Sequence, residues 1–240
     1  MAENQNPAII KPAKYVQPTN FLDFLKRQDS ILRKNFLYSD KVKNEGINCT
    51  LHPVEHCYYV ALIHSDEINE KMTRFSEEIA KRVPAVKYDP SSIHTTLANG
   101  YIIRDNHFSP NVGIIDRLRD SVKKSLLNRV QPLVYNAWLV NSGGVIASAY
   151  GNEGFFNLAY GINQVAKAVD LDLNFHWGAH MTVSRFSEAR GPEQIKDLLA
   201  FVDEAKPLGQ SFPSTVSLGT AYNTKNEFRL NEYDRFSIKD

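Results

Sequence analysis

Two short stretches constrain this chain more than any other feature. His94-Thr95-Thr96-Leu97 and His180-Met181-Thr182-Val183 share one grammar: histidine, any residue, threonine, aliphatic. Each also follows the same order of patterns. From Cys57 a β-rich run leads into apolar residues at helical spacing (Ile68, Met72, Phe75, Ile79, Val83), and then comes the first motif. From Val145 a second β-rich run leads into Phe155, Leu158, Ile162, Val165 and Val169, and then comes the second motif. The interval from strand start to motif histidine is nearly equal in the two halves. Internal duplication is the simplest account of that match.

Further helices and strands complete each half. Ser109-Pro110 predicts a capped helix start, with Ile115, Leu118, Val122 and Leu126 on its buried face, and residues 133–141 read as a strand. Gly191-Pro192 opens a helix carrying Ile195, Leu198, Leu199 and Val202, and residues 214–222 read as another strand. The halves meet at Ser142-Gly143-Gly144, a tight-turn signal too short to string two independent bodies apart. The expected organisation is therefore an arm over 1–56, a first lobe over 57–141 and a second over 142–240. Within the arm, Phe21, Leu25, Leu32 and Phe36 stripe one helix, with Thr19 or Asn20 as its N-cap. That helix either packs on the main body or covers a cleft.

Composition narrows the function classes. The chain has 240 residues, 42% of them apolar and 23% charged, which is enough for a substantial core and argues against disorder. A formal net charge of +1 gives no field strong enough to gather duplex DNA, although a local pocket can still hold one phosphate. No apolar run is long enough for a membrane span, and the N-terminus lacks a secretory pattern, so a cytoplasmic monomer is expected. Cys49 and Cys57 are too few for a disulfide framework.

Strand geometry turns the motifs into chemistry. Side chains alternate faces along a strand, so His94 shares a face with Thr96, and His180 with Thr182. The small residues Ala98 and Ser184 continue that alternation and would leave room for a ligand. Arg185 has the opposite parity to His180 and would point away unless a bulge redirects it. Two imidazoles and two hydroxyls around one cleft suit phosphodiester hydrolysis. A neutral ring removes a proton from water or a hydroxyl, and a protonated ring delivers one to the leaving oxygen. The hydroxyls donate to oxygens whose charge grows in the transition state.

At this point the paired motifs resemble the signature of the two-histidine phosphoesterase superfamily, which includes RNA 2′,3′-cyclic phosphodiesterases and RNA-ligase-like proteins. Ser184-Arg185-Phe186 is similar to the small-Arg-aromatic sequence that often follows the second motif. The resemblance covers roughly residues 57–222. It implies a bilobal, pseudo-twofold α+β fold with antiparallel sheets lining a central cleft and helices outside. It also implies catalytic roles for His94 and His180, phosphate contacts from Thr96 and Thr182 with Arg185 as a further candidate, and no metal or other cofactor. The expected substrate is a nucleotide or RNA terminus bearing a 2′,3′-cyclic phosphate, or a related 2′–5′ linkage.

Two rivals remain open. A chain of this fold could bind a nucleotide or RNA end without turning it over. Alternatively, His52, His56 and His176 could belong to a metal-dependent hydrolase, since His52 and His56, like His176 and His180, stand four residues apart. Pro53 and the strand-like residues around His176 disfavour the helix that such spacing needs. Trp177, Tyr58, Tyr59 and Tyr150 are aromatic candidates for stacking on a base, although core packing is the commoner fate of such residues.

Overall fold

A computed structural model describes residues 8–10, 17–37, 40–48, 51, 54–126 and 130–238. In chain order the elements are β1 (Ala8–Ile10), α1 (Phe21–Leu32), α2 (Lys41–Glu45), β2 (Val54–Ile63), α3 (Asp66–Arg82), β3 (Ala85–Lys87), β4 (His94–Asn99), β5 (Ile102–Arg104), α4 (Val112–Ser125) and β6 (Leu133–Asn141). They continue with β7 (Gly144–Ala149), α5 (Glu153–Ala168), β8 (Asn174–Phe175), β9 (His180–Phe186), α6 (Lys196–Glu204), β10 (Gly209–Ser211), β11 (Thr215–Thr224) and β12 (Phe228–Ser237). His52 and Cys49 lie outside the described residues. No helix among the described residues is long and apolar enough to cross a membrane.

The strands form one curled α+β sheet in which β1, β5, β2, β4, β9, β7, β6 and β10 follow one another. β11 adds to the free edge of β2 and carries β12, while β3 pairs with β9 and β8 with β4. All paired strands among those described run antiparallel. The motif strands β4 and β9 are therefore neighbours at the centre. The last strand of each repeat crosses over: β6 pairs with β7, and β11 returns to β2. A backbone bridge from Lys87 to Glu227 brings the tip of the β11–β12 hairpin back to the segment before His94. The sheet thus curls around the first motif.

Local signals explain several element boundaries. The Asn141 carboxamide oxygen accepts from the backbone N–H of Gly143 and Gly144 at 2.8 and 2.9 Å, closing the β6–β7 turn. Asn152 caps α5 by accepting from Phe155 N at 2.9 Å. The start expected at Ser109-Pro110 is corrected: Asn111 is the N-cap of α4, accepting from Ile114 N at 3.2 Å. Gly100 interrupts the β-rich run over residues 93–103, leaving β4 and β5 as separate pieces.

The N-terminal helix both packs and lines. Asn20 caps it, and its fully buried Phe24 lies against Phe155, Phe156 and Phe175 at centroid separations of 5.9, 5.6 and 5.8 Å. Burial of an aromatic side chain of this size stabilises by roughly 3 kcal/mol. Buried Gln28 donates to the Ala149 carbonyl at 2.5 Å and accepts from Gly151 N at 3.1 Å, satisfying backbone groups at the end of β7. A side chain on Gly178 would meet Gln28 at 2.7 Å, so only glycine admits this contact. Beyond α1, a turn of π-helix over Arg33–Leu37 carries Phe36 to the ring of Trp177, 6.3 Å away.

Candidate active site

The two motifs meet through one register pair, Thr95 opposite Met181. Both side chains are fully buried beneath the sheet. One step either way along each strand are His94 and Thr96, and His180 and Thr182, whose side chains alternate with the buried pair. Those four residues are half-buried, as side chains facing a cleft should be. Both histidines and both threonines therefore turn to the face opposite the buried Thr95 and Met181.

Both strands carry a bulge immediately after the threonine. Ala61 is opposite Thr96 and Val60 opposite Ala98, so Leu97 has no partner on β2. Ile146 is opposite Thr182 and Val145 opposite Ser184, so Val183 has no partner on β7. The bulges fall where the outer partner changes: β4 passes from β9 to β8, and β9 from β4 to β3. One extra residue resets the alternation. Ala98 and Ser184 are consequently removed from the motif face, contrary to simple alternation, and Ser184 Oγ donates to the Val86 carbonyl at 3.2 Å. Arg185 is brought to the cleft instead. It lines a cavity of about 370 Å³ together with His180, Thr182, Asn141, Trp177 and Phe36.

His94 does not line that cavity; its ring is stacked against Phe228 at 5.7 Å and 10°. Its Nδ1 lies 2.8 Å from the Ser92 carbonyl. A carbonyl can only accept, so Nδ1 carries the proton and, in the neutral ring, Nε2 is the free base. Burial lowers its pKa to about 4; the Ser92 carbonyl opposes this shift and nearby Arg185 adds to it. His180 stacks on Trp177 at 4.4 Å, and its Nδ1 is buried without a hydrogen-bond partner among the described residues. Its pKa is pushed well below the ordinary range by burial, then by His176 and His94; the Gly178 carbonyl opposes this, although His176 Nδ1 already holds that oxygen at 2.9 Å. The influence of His94 on His180 places them in one electrostatic neighbourhood.

Arg185 stands over the Phe228 ring at 5.9 Å, and Phe228 also stacks on Tyr88 at 4.7 Å. The guanidinium's pKa is raised, by Tyr88 first, against the opposing cost of burial, with Cys57 and Glu55 also raising it. A half-buried fixed cation beside two imidazoles is a strong anion attractor.

Other candidates fall elsewhere. His176 lies 4.7 Å from His180, ring to ring, with burial lowering its pKa to about 4. His56 is stacked between Phe108 and Tyr222 at 4.6 and 5.0 Å, on another aromatic cluster. Tyr58 OH accepts from Asn111 N at 2.7 Å and Tyr150 OH donates to Asp29 at 3.1 Å, both structural contacts. Tyr59 lies 6.3 Å from His94 and is hydrogen-bonded to Ser217.

Sequence reasoning missed what lies behind the site. Buried His64 joins Ser211 Oγ at 2.7 Å to Thr95 Oγ1 at 3.0 Å, and Thr95 in turn meets Tyr135 OH at 2.6 Å. Desolvation drives the His64 pKa down to about 3, so the ring is neutral. Phe228 was missed as well, because it is remote in sequence and looks like any strand aromatic.

Among solved structures, this geometry has close counterparts in architecture. The crystal structure of E. coli LigT complexed with 3′-AMP superposes with a TM-score of 0.53 at 14% identity, covering 78% of this chain and 99% of that one. The LigT complex with NADP+ gives 0.51 at 14%, covering 77% and 98%. The fold is the LigT fold. A conserved protein of unknown function from Agrobacterium tumefaciens shares it, with a TM-score of 0.50, 14% identity and coverage of 82% and 99%. LigT is thus matched almost end to end, while about a fifth of this chain has no LigT counterpart. No family model matches the chain, and no curated protein sequence does.

Proposed function

We propose that the chain is a phosphodiesterase that works without a metal. In this reading it acts on a nucleotide or RNA 2′,3′-cyclic phosphate, or a related 2′–5′ phosphodiester, in the cytoplasm and as a monomer. The carrying observation is the Thr95–Met181 register, which makes the two motif strands neighbours and supports a shared face for both histidines and both threonines. The fold shared with LigT supports the reading, since LigT has been crystallised with the nucleotides 3′-AMP and NADP+.

His94 is assigned as general acid and His180 as general base. The Ser92 carbonyl holds Nδ1–H of His94, so a second proton on Nε2 produces an imidazolium already satisfied on one side. Bound phosphate raises the proton affinity of that ring, which is neutral in the free site near pH 7. His180, whose proton affinity is held low by burial, takes the proton from water as the O–P bond forms. His94 releases its proton to the leaving oxygen as the other P–O bond breaks. Thr96, Thr182 and Arg185 hold the non-bridging oxygens.

The test is a screen of 2′,3′-cyclic nucleotides, RNAs ending in a cyclic phosphate and 2′–5′ dinucleotides, with chelator present throughout. Turnover that persists in chelator and is lost in His94→Ala and His180→Ala supports the reading. Saturable binding with no product would leave the non-catalytic module, and inactivation by chelator would point to the metal-dependent rival.

A further inference from the structure

A second cavity, of about 460 Å³, is lined by Tyr59, Ile63, Thr215 and Ser217 from the strand wall beside His94 and by His64 and Asn69 from the turn into α3 and from α3 itself. The register locates it. Ile63 is opposite His94, Thr215 is opposite Ile63, and Ser217 lies opposite both Ala61 and Arg235. These partners share one face, so the wall built by β2, β11 and β12 continues the surface that bears His94. Tyr59 joins the two regions, with its ring near His94 and its hydroxyl on Ser217.

The lining differs in kind from that of the first cavity. Hydroxyls dominate: Ser65, Ser91, Ser214, Thr215 and Ser217 all line it. Its charged residues are Asp66, Glu232 and Arg235, and both carboxylate oxygens of Glu232 accept from Arg235 Nε at 3.0 Å. The local balance is therefore negative, which disfavours a phosphate. Asn69 also lines the cavity and is more than nine-tenths buried. Its amide donates to the His64 carbonyl at 3.2 Å, and its Oδ1 has no partner among the described residues. A buried acceptor left unpaired calls for a donor. The volume falls within the roughly 300–1,000 Å³ usual for small-ligand pockets.

From these observations we infer that this cavity is a recognition site for an uncharged, hydroxyl-bearing group, the sugar and base of a nucleoside. The phosphate is held separately, on the His180 and Arg185 side. The inference rests on the phosphodiesterase reading for its placement relative to phosphorus, but it can be tested without turnover. The ligand approaches with donors toward Asn69 and Glu232, and its hydroxyls exchange hydrogen bonds with the serine rim.

The experiment is an NMR titration of the full chain with adenosine, with uridine and, separately, with inorganic phosphate. Either nucleoside is expected to shift the signals of Asn69, Thr215 and Ser217, and phosphate those of Thr182 and Arg185. Thr215→Tyr, which places a ring in the cavity, is expected to weaken nucleoside binding at least about tenfold, whereas Thr215→Ser binds as the parent does. Nucleosides that leave these signals unmoved, phosphate that moves them, or undiminished binding by Thr215→Tyr would overturn the inference. Nucleoside binding here in a protein whose His94 and His180 variants lose no turnover would retain the cavity assignment and reject the catalytic one.

Discussion

Thr95 stands directly opposite Met181 where β4 and β9 meet, and the pair is the only one in register between those strands among the described residues. Everything on the cleft face follows from this point. The Thr95 hydroxyl is held from beneath by His64 at 3.0 Å and Tyr135 at 2.6 Å, residues of β2's end and of β6. Replacing Thr95 by Val keeps the shape but leaves two buried polar partners unmatched. Thr95→Val should cost about 1–3 kcal/mol in denaturant unfolding, and Thr95→Ser should recover much of it.

The acid and base assignments differ in leaving-group dependence. His94→Ala and His180→Ala are each expected to lower turnover of a natural diester by about 10²–10⁴-fold. With a p-nitrophenyl ester, whose leaving group needs no proton, His94→Ala should recover most of its loss and His180→Ala should not. Steady-state rates on the two substrate types check this.

Arg185 reaches the cleft through the Val183 bulge and supplies a fixed charge there. Arg185→Gln should weaken inorganic phosphate binding by about tenfold or more, in line with roughly 1.5–3 kcal/mol for a charge-assisted contact. Arg185→Lys should restore only part, because the guanidinium also packs over Phe228. Calorimetric titration with phosphate measures both.

Stability should fall on the acid side of neutrality. His64, His94 and His176 have folded-state pKa values lowered to about 3, 4 and 4 from 6.5. Between those values and 6.5 the unfolded chain binds more protons than the folded one, so stability rises with pH across that window and is lost as pH falls through it. Denaturation midpoints measured from about pH 7 down to about pH 4 should decline steadily, and His64→Asn should flatten part of the slope.

The site was partly legible from sequence because strand alternation is local. His94 with Thr96, and His180 with Thr182, need only a period of two to share a face, and that face is where they are found. Arg185 was legible only as an alternative, since its direction depends on a bulge set by where β9 exchanges β4 for β3. The buried face of α1 was read in part: Leu32 is buried and Phe21 and Leu25 pack against the core, but two further residues were missed. Phe24 and Gln28 are its most buried residues, and Gln28 is buried to satisfy Ala149 and Gly151, groups more than a hundred positions away. His64 and Phe228 are likewise defined by partners distant in the chain.

Two imidazoles sharing one phosphoryl group are tested most directly by imidazole ¹⁵N NMR during titration with inorganic phosphate. The ring signals of His94 and His180 should shift together with a single dissociation constant, and one ring should gain a proton as phosphate binds. A titration in which only one ring responds, or in which the two respond with different constants, would contradict the shared site.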